Sequence, residues 1–194
     1  SILQPLPDLM EELNRFGPSI VATYPTAAVV LAAQAAAGTL SVPVQEVWTG
    51  GETLTPPMRA AIEQGFACPV RNSYGASEFL PLAWECGHGA LHANADWAIL
   101  EPVDERYRPV PPGTLSYTTL LTNLANHAQP LIRYDLGDRI VVSAQRCDCG
   151  SPLPVIDVRG REDDVLLLHG RHGDDVPVLP LALAEVLEEQ AGLF

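Results

Sequence analysis

Residues 19–40 read SIVATYPTAAVVLAAQAAAGTL, and this stretch decides the class of fold. Residues 19–24 form a short apolar run suited to a buried strand. Pro25 can occupy the first turn of a helix predicted over 26–37, and Gly38 ends that helix. A strand followed at once by a helix is the repeating unit of a parallel α/β sheet.

The same alternation continues on both sides of this stretch. Because the carboxyl ends of parallel strands share one edge, we expect Tyr24-Pro25, residues 50–52 and Tyr74-Gly75 to converge in a ligand crevice. The other predicted elements are a helix over 7–16 that stops at Gly17-Pro18, a strand over 46–49, a helix capped by Thr55-Pro56, and a strand over 69–73.

The pattern changes at Trp84, where short β-rich runs are separated by proline and glycine. We predict an antiparallel β subdomain there, with strands at 97–100, 114–121, 131–134 and 139–142. Beyond it lie an apolar run at 165–168 and a helix predicted over 180–190. The predicted organisation is a parallel α/β part over 1–83, a β-rich part with a metal site over 84–158, and the start of a truncated small C-terminal domain over 159–194.

Cysteine spacing suggests zinc. Cys147 and Cys149 form a Cys-x-Cys turn before Gly150, and Cys86 lies about sixty residues upstream. With one histidine they make the four thiolate and imidazole ligands of a closed tetrahedral zinc site. The alternative is that these are ordinary buried thiols, a role that we assign only to Cys68.

Two histidines could complete this site. His88 stands in a Gly-His-Gly turn, whereas His92 opens a run that reads as the start of a strand. A ligand on a strand is held more rigidly than one on a glycine turn, so His92 is the predicted ligand.

Composition excludes several classes of partner. The net charge of −13 argues against nucleic acid and anionic membranes, which need a basic face. No apolar run reaches the roughly 20 residues of a membrane span, and no basic leader opens the chain. Few cysteines in a zinc-like pattern favour a reducing, cytoplasmic setting. All eleven basic residues are arginine, so no lysine is available for chemistry.

Three segments together resemble the adenylate-forming ligases (AMP-binding acyl-CoA synthetases), and within them the phenylacetate–CoA ligase branch. They are residues 74–78 (YGASE), 132–138 (IRYDLGD) and 160–164 (GREDD), with Gly50-Gly51-Glu52 as the loop before the first. Each motif is weak alone, and their order makes the match specific. The Cys…His…Cys-x-Cys set also resembles zinc-containing members of this branch.

The resemblance implies roles for individual residues. Catalysis would use Ser77 on the α-phosphate, Glu78 as a Mg²⁺ ligand and Arg161 on ribose or phosphate. Asp163 would be the hinge of the small C-terminal domain. The nucleotide would be contacted by Tyr74 and Gly75 at adenine, by Gly50, Gly51 and Glu52 on its other side, and by Asp138 at the ribose hydroxyls.

The resemblance further implies a reaction in which ATP activates a small carboxylic acid as an acyl-adenylate, followed by transfer to a thiol such as CoA. The branch suggests an aromatic acid. The family's phosphate loop and C-terminal lysine have no counterpart here, so we expect a core fragment that is inactive in isolation. A non-catalytic, zinc-stabilised AMP-binding or interaction module is the alternative, and a half-enzyme completed by the missing ligase segments is a third. A homodimer would cover apolar surface, although no motif specifies one.

Overall fold

A computed structural model of the chain describes residues 4–161, 166–169 and 175–178. Within it the chain forms two compact units that divide between Ser73 and Tyr74. The three-part division predicted above is not tested by this boundary and stays a prediction.

The first unit is the predicted parallel α/β layer. Strands β1 and β2 pair in parallel, as do β2 and β3, in the order β1-β2-β3. Its core packs Ala28, Val47, Ile62 and Val70 between the helices and the sheet. The elements are α1 (Leu6–Phe16), β1 (Ile20–Thr23), α2 (Pro25–Ala36), β2 (Glu46–Thr49), α3 (Pro56–Phe66) and β3 (Val70–Ala76).

The helix ends follow the predicted signals. Gly17 adopts a left-handed conformation with φ of 64° and donates its N–H to the Leu13 carbonyl, which ends α1. Pro25 begins α2. The Thr55 hydroxyl accepts the Met58 N–H at 3.4 Å and caps α3. Cys68 packs against the core of this unit, as predicted.

The second unit is antiparallel, as predicted for the β subdomain. One sheet has the order β4-β5-β10-β9, and a second has the order β6-β7-β8. Apolar clusters join the two sheets around Leu82, Leu121 and Ile140. The strands are β4 (Phe79–Glu85), β5 (Leu91–Ala93), β6 (Ala98–Val103), β7 (Thr118–Asn123), β8 (Tyr134–Asp135), β9 (Asp138–Val142) and β10 (Val155–Arg161).

The fold class is therefore the predicted one, a parallel α/β sheet followed by antiparallel strands. The sequence did not indicate β4 or β10, and of the run at 131–134 only Tyr134 lies in a strand, as the first residue of β8. Near the C-terminus, β11 (Leu166–His169) pairs with β12 (Asp175–Val178). The helix predicted over 180–190 lies outside the described residues. In the described part of the chain, no helix is both long and apolar enough to cross a bilayer.

Candidate functional site

The four predicted zinc ligands lie together in the second unit. One ligand atom from each of Cys86, His92, Cys147 and Cys149 falls within 4.8 Å of the other three. The Cys86 and Cys147 sulfurs are 3.8 Å apart, and the Cys149 sulfur lies 3.3 Å from His92 Nε2. Tetrahedral zinc with bonds of about 2.3 Å to sulfur places two sulfurs about 3.8 Å apart, so the donor set fits zinc.

The local structure orients each ligand. His92 lies on β5, between Trp84 on β4 and Val155 on β10 in the strand register. The His88 N–H donates to the Cys86 sulfur at 3.4 Å, and the Ser151 N–H donates to the Cys149 sulfur at 3.4 Å. Such backbone donors stabilise thiolates, the form that binds metal.

The choice between the two histidines follows from this geometry. His92 is fully buried and its Nδ1 lies 3.0 Å from the Leu153 carbonyl. With Nδ1–H donating to that carbonyl, Nε2 keeps a lone pair toward Cys149, the usual arrangement of a metal-binding histidine. The His88 ring is exposed, and His88 contributes only its backbone N–H.

The thiol of Cys86 is acidic in this setting. Burial alone would raise its pKa, but hydrogen bonds from the backbone N–H groups of His88 and Ala90 outweigh burial and lower the pKa to about 6. The lowered pKa favours the thiolate, which is the form that binds metal.

In the first unit, the loop of residues 50–52 lies over the start of α2. Gly51 has φ of 81°, and a Cβ there would stand 2.8 Å from the Tyr24 ring. The Glu52 carboxylate accepts the Thr26 N–H at 3.2 Å and the Thr26 hydroxyl at 2.8 Å. Tyr24-Pro25 and the 50–52 loop thus come together as predicted. The Glu52 carboxylate stabilises the N-terminus of α2, where a negative charge is favourable.

Gly50 lies close to Ser73, in the middle of β3. A Cβ at Gly50 would stand 2.5 Å from the Ser73 hydroxyl, which itself donates to the Thr49 carbonyl at 2.9 Å. Only glycine leaves room for this approach. The loop of residues 50–52 therefore packs closely against the start of α2 and against β3.

In the second unit, Tyr74 and Asp138 form a direct pair. The phenol donates to Asp138 Oδ2 at 2.6 Å. Burial, then the negative charge of Asp138, raise the pKa of Tyr74 well above its usual value. The ring packs against both apolar clusters of the unit, so Tyr74 is held from the core side while its hydroxyl fixes the carboxylate.

Arg161 lies beside this pair. It is opposite Asp138 in the β9–β10 register, after an irregularity at Gly160, whose φ is 95°. A Cβ at Gly137 would stand 3.3 Å from Arg161 Nη2, so the guanidinium lies against this turn. Its positive charge counteracts the rise in the pKa of Tyr74.

Glu78 completes the charged group. It is half-buried and lies near Tyr134, and its interaction with the phenol is the largest cause of the raised pKa of Tyr134. Its backbone carbonyl accepts from the Asn123 side chain at 3.3 Å. Ser77, in the turn before it, is exposed. Gly75 has no room for a side chain, because a Cβ would overlap the Leu80 carbonyl.

The structure thus gathers Tyr74, Glu78, Asp138 and Arg161, predicted from three separate motifs, within electrostatic reach of one another. Their predicted roles toward a nucleotide are not tested by this arrangement. Asp163, the predicted hinge residue, lies outside the described residues.

Two residues of the second motif were given no role from sequence. Tyr134 interacts electrostatically with Glu78, and Asp135 accepts hydrogen bonds from Thr118, Tyr107 and the Gly137 N–H. A sign of a role in the sequence was that both residues belong to the charged motif at 132–138, because charged side chains are unsuited to the interior of a sheet. Their partners are remote in sequence, so the contacts themselves left no pattern.

No family model matches the chain. Among curated proteins it is similar to Protein CapK of Staphylococcus aureus, with 31% identity over 133 residues, covering 68% of this chain and 28% of CapK. It is also similar to phenylacetate-coenzyme A ligase of Thermus thermophilus, with 27% identity over 186 residues, covering 90% of this chain and 42% of that ligase.

Among solved structures, 2-hydroxyisobutyryl-CoA ligase in the postadenylation state, in complex with R3-HIB-AMP, matches with a TM-score of 0.83. The match covers 96% of this chain and 40% of that one at 22% identity, so it concerns the fold. The chain spans less than half the length of each of these proteins. This chain is therefore related in sequence to phenylacetate-coenzyme A ligase, and it has the fold of the corresponding part of 2-hydroxyisobutyryl-CoA ligase.

Proposed function

We propose that this chain is the part of an acid–CoA ligase that binds the adenosine end of ATP and of the acyl-adenylate. The observation that carries the proposal is the group formed by Tyr74, Asp138, Arg161 and Glu78. The relationship to a phenylacetate-coenzyme A ligase supports it.

The chemistry of each residue suits that task. Asp138 can accept hydrogen bonds from ribose hydroxyls, because the Tyr74 phenol holds its carboxylate in place and favours the charged form. Arg161 supplies a planar donor fork for ribose or phosphate oxygens. Ser77 would donate its exposed hydroxyl to the α-phosphate.

The parent reaction would have two steps. A carboxylate oxygen of the acid attacks the α-phosphorus of ATP, and the bond to pyrophosphate breaks. The sulfur of CoA then attacks the acyl carbon, and AMP leaves. Glu78 is the proposed carboxylate ligand of Mg²⁺, which would offset phosphate charge when bound.

In the first unit, Gly50 and Gly51 are proposed to contact nucleotide through their backbone. The Glu52 carboxylate is already used by Thr26, so a role for Glu52 at the nucleotide would be through its main chain or through the loop that it holds.

We also propose that Cys86, His92, Cys147 and Cys149 bind a structural zinc ion. Four protein ligands close the coordination sphere, and a closed site stabilises structure and leaves no position for a substrate.

For the acid, we propose an aromatic carboxylate, because the Thermus relative is named for phenylacetate. The similar solved structure is named for 2-hydroxyisobutyrate, an aliphatic hydroxy acid. A substrate panel therefore needs aromatic and aliphatic acids. Tighter binding of a phenylacetyl-adenylate analogue than of an aliphatic one would support the aromatic choice, and the reverse order would refute it.

Calorimetric titration of AMP into the zinc-loaded chain tests the adenosine site directly. Asp138→Asn should weaken AMP binding roughly tenfold or more, since it removes a charged acceptor. Asp96→Asn is the matched control, because Asp96 is exposed and has no hydrogen bond or ion pair among the described residues. Failure of the wild-type chain to bind AMP, or equal binding by Asp138→Asn, would overturn the proposal.

A further inference from the structure

We infer that Asp135 and Tyr107 are positioning residues that hold the Asp138 carboxylate in place for the ribose hydroxyls. This inference rests on the proposed adenosine site. Their effect on the Asp138 carboxylate passes through the short turn between β8 and β9.

Asp135 anchors that turn through three hydrogen bonds. Its Oδ1 accepts the Thr118 hydroxyl at 2.5 Å and the Gly137 N–H at 3.0 Å. Its Oδ2 accepts the Tyr107 hydroxyl at 2.8 Å. Desolvation opposes ionisation of Asp135, but these bonds outweigh it and lower its pKa, so the carboxylate stays charged at neutral pH.

Only Leu136 and Gly137 separate Asp135 from Asp138. Leu136 is buried and donates its N–H to the Thr119 carbonyl at 3.0 Å. Gly137 has φ of 73°, a conformation that glycine adopts and leaves with little cost. The bond from its N–H to Asp135 therefore restricts a joint that would otherwise be free to move.

Asp138 is also held from the β7 side. The buried Thr119 hydroxyl donates to the Asp138 carbonyl at 2.8 Å. Thr118 and Thr119 thus hold the residues on both sides of the turn, and β7 is the rigid support. The orientation of the Asp138 side chain is then set by Tyr74 and by the path of this turn.

Tyr107 is itself held in a costly conformation. Its φ is 58°, in the left-handed region that a bulky residue rarely adopts. Asp104 stabilises this loop, because its Oδ1 accepts the N–H groups of Arg106 and Arg108, both at 2.9 Å. The Arg108 side chain pairs with Asp104 Oδ2 at 2.7 Å. Asp104 therefore holds the loop that carries Tyr107, and with it the hydroxyl that donates to Asp135.

Precision matters at this position because one carboxylate must meet two vicinal hydroxyls. Groups that bind in this way work only within about 0.5 Å of the productive geometry. A small shift of the turn should therefore weaken contacts to the ribose diol and leave adenine and phosphate contacts unchanged.

The test compares AMP with 2′,3′-dideoxy-AMP as ligands of the zinc-loaded full chain. Tyr107→Phe should weaken AMP binding roughly two- to tenfold, the range for loss of one hydrogen bond, and leave dideoxy-AMP binding unchanged. Arg106→Gln is the matched control from the same turn: the Arg106 side chain makes no contact of this kind in the described part of the chain, so both affinities should be kept.

Equal weakening for both ligands would mean a merely structural role and would overturn the inference. Asp138→Asn separates the two proposals: if it too fails to distinguish AMP from the dideoxy analogue, the proposed adenosine site is wrong. If Asp138→Asn distinguishes the ligands and Tyr107→Phe does not, only the positioning role is wrong.

A measurement without ligand tests the positioning role independently. Hydrogen exchange of the Gly137 amide should become faster in both variants, because Asp135→Ala removes the acceptor that protects this amide and Tyr107→Phe loosens that acceptor. Unchanged exchange at Gly137 in both variants would overturn the inference whether or not AMP binds.

Discussion

The Tyr74 phenol and the Asp138 carboxylate lie 2.6 Å apart although 64 positions separate them in the chain. A neutral phenol beside a carboxylate is stable only while the phenol keeps its proton, because ionisation would place two negative charges together. The stability of the second unit should therefore fall at alkaline pH, where the Tyr74 phenol loses its proton.

The direction of this linkage follows from the raised pKa of Tyr74. A group whose pKa is raised by folding contributes stability that is fully present below its unfolded pKa of about 10. That contribution is lost as the pH rises above this value toward the folded pKa. The chain contains no lysine, so no ammonium group titrates in the same range and obscures the effect.

We predict that the wild-type chain loses stability between pH 9 and 11 relative to Tyr74→Phe, by up to about 1.4 kcal/mol per pH unit above pH 10. Urea unfolding at several pH values measures this difference. Tyr24→Phe is the control, because the Tyr24 hydroxyl has no hydrogen bond among the described residues. A constant difference between wild type and Tyr74→Phe across this range would show that the phenol does not carry the linkage.

At the scale of elements, helices α2 and α3 pack closely at Gly65 of α3, a position without a side chain. A Cβ at Gly65 would stand 2.5 Å from the Ala32 carbonyl oxygen and 2.7 Å from the Ala32 Cβ. Helix propensity alone favours alanine over glycine by about 1 kcal/mol. The close approach opposes that gain, and overpacking of a fixed contact costs about 1–3 kcal/mol.

We therefore predict that Gly65→Ala lowers the unfolding free energy by roughly 1 kcal/mol or more, despite the better helix former. Gln64→Ala is the control, because Gln64 is exposed on the same helix and should change stability by no more than about 0.5 kcal/mol. Denaturant unfolding of the two variants decides the point. Stabilisation by Gly65→Ala would mean that the helices separate at little cost.

At the scale of the molecule, the four-ligand cluster joins segments about sixty residues apart within the second unit. Metal that binds such a cluster contributes its binding energy to folding, because the unfolded chain has no preformed site. The ligands lie on or next to β4, β5 and the loop before β10, so the effect should be concentrated in that sheet.

We predict that removing zinc with a chelator, or changing Cys149→Ser, speeds amide exchange in β5 and β10 by at least roughly tenfold. Amides of β1 and β2 in the first unit serve as the internal reference. Cys68→Ser is the control for loss of a thiol outside the cluster. Equal amide exchange rates of β5 and β10 in the metal-loaded and the chelated protein would contradict a structural metal.

The sequence alone determined the elements whose signals are local. Apolar runs, proline at the start of α2 and α3, and Gly17 at the end of α1 predicted the parallel layer closely. Ligand chemistry and a rigid strand position selected His92 over His88, and the structure places His92 with the three cysteines. These features depend on a few neighbouring residues, so they can be recognised without knowing the fold.

Tertiary structure decided the features that depend on remote partners. The pairing of Asp135 with Tyr107, 28 residues away, has no local pattern, and neither has the pairing of Tyr74 with Asp138. Strand β10 escaped prediction because its residues alternate in burial only once their partners in β5 and β9 are known. Long-range register fixes which side chains face each other, and that register is a property of the folded chain as a whole.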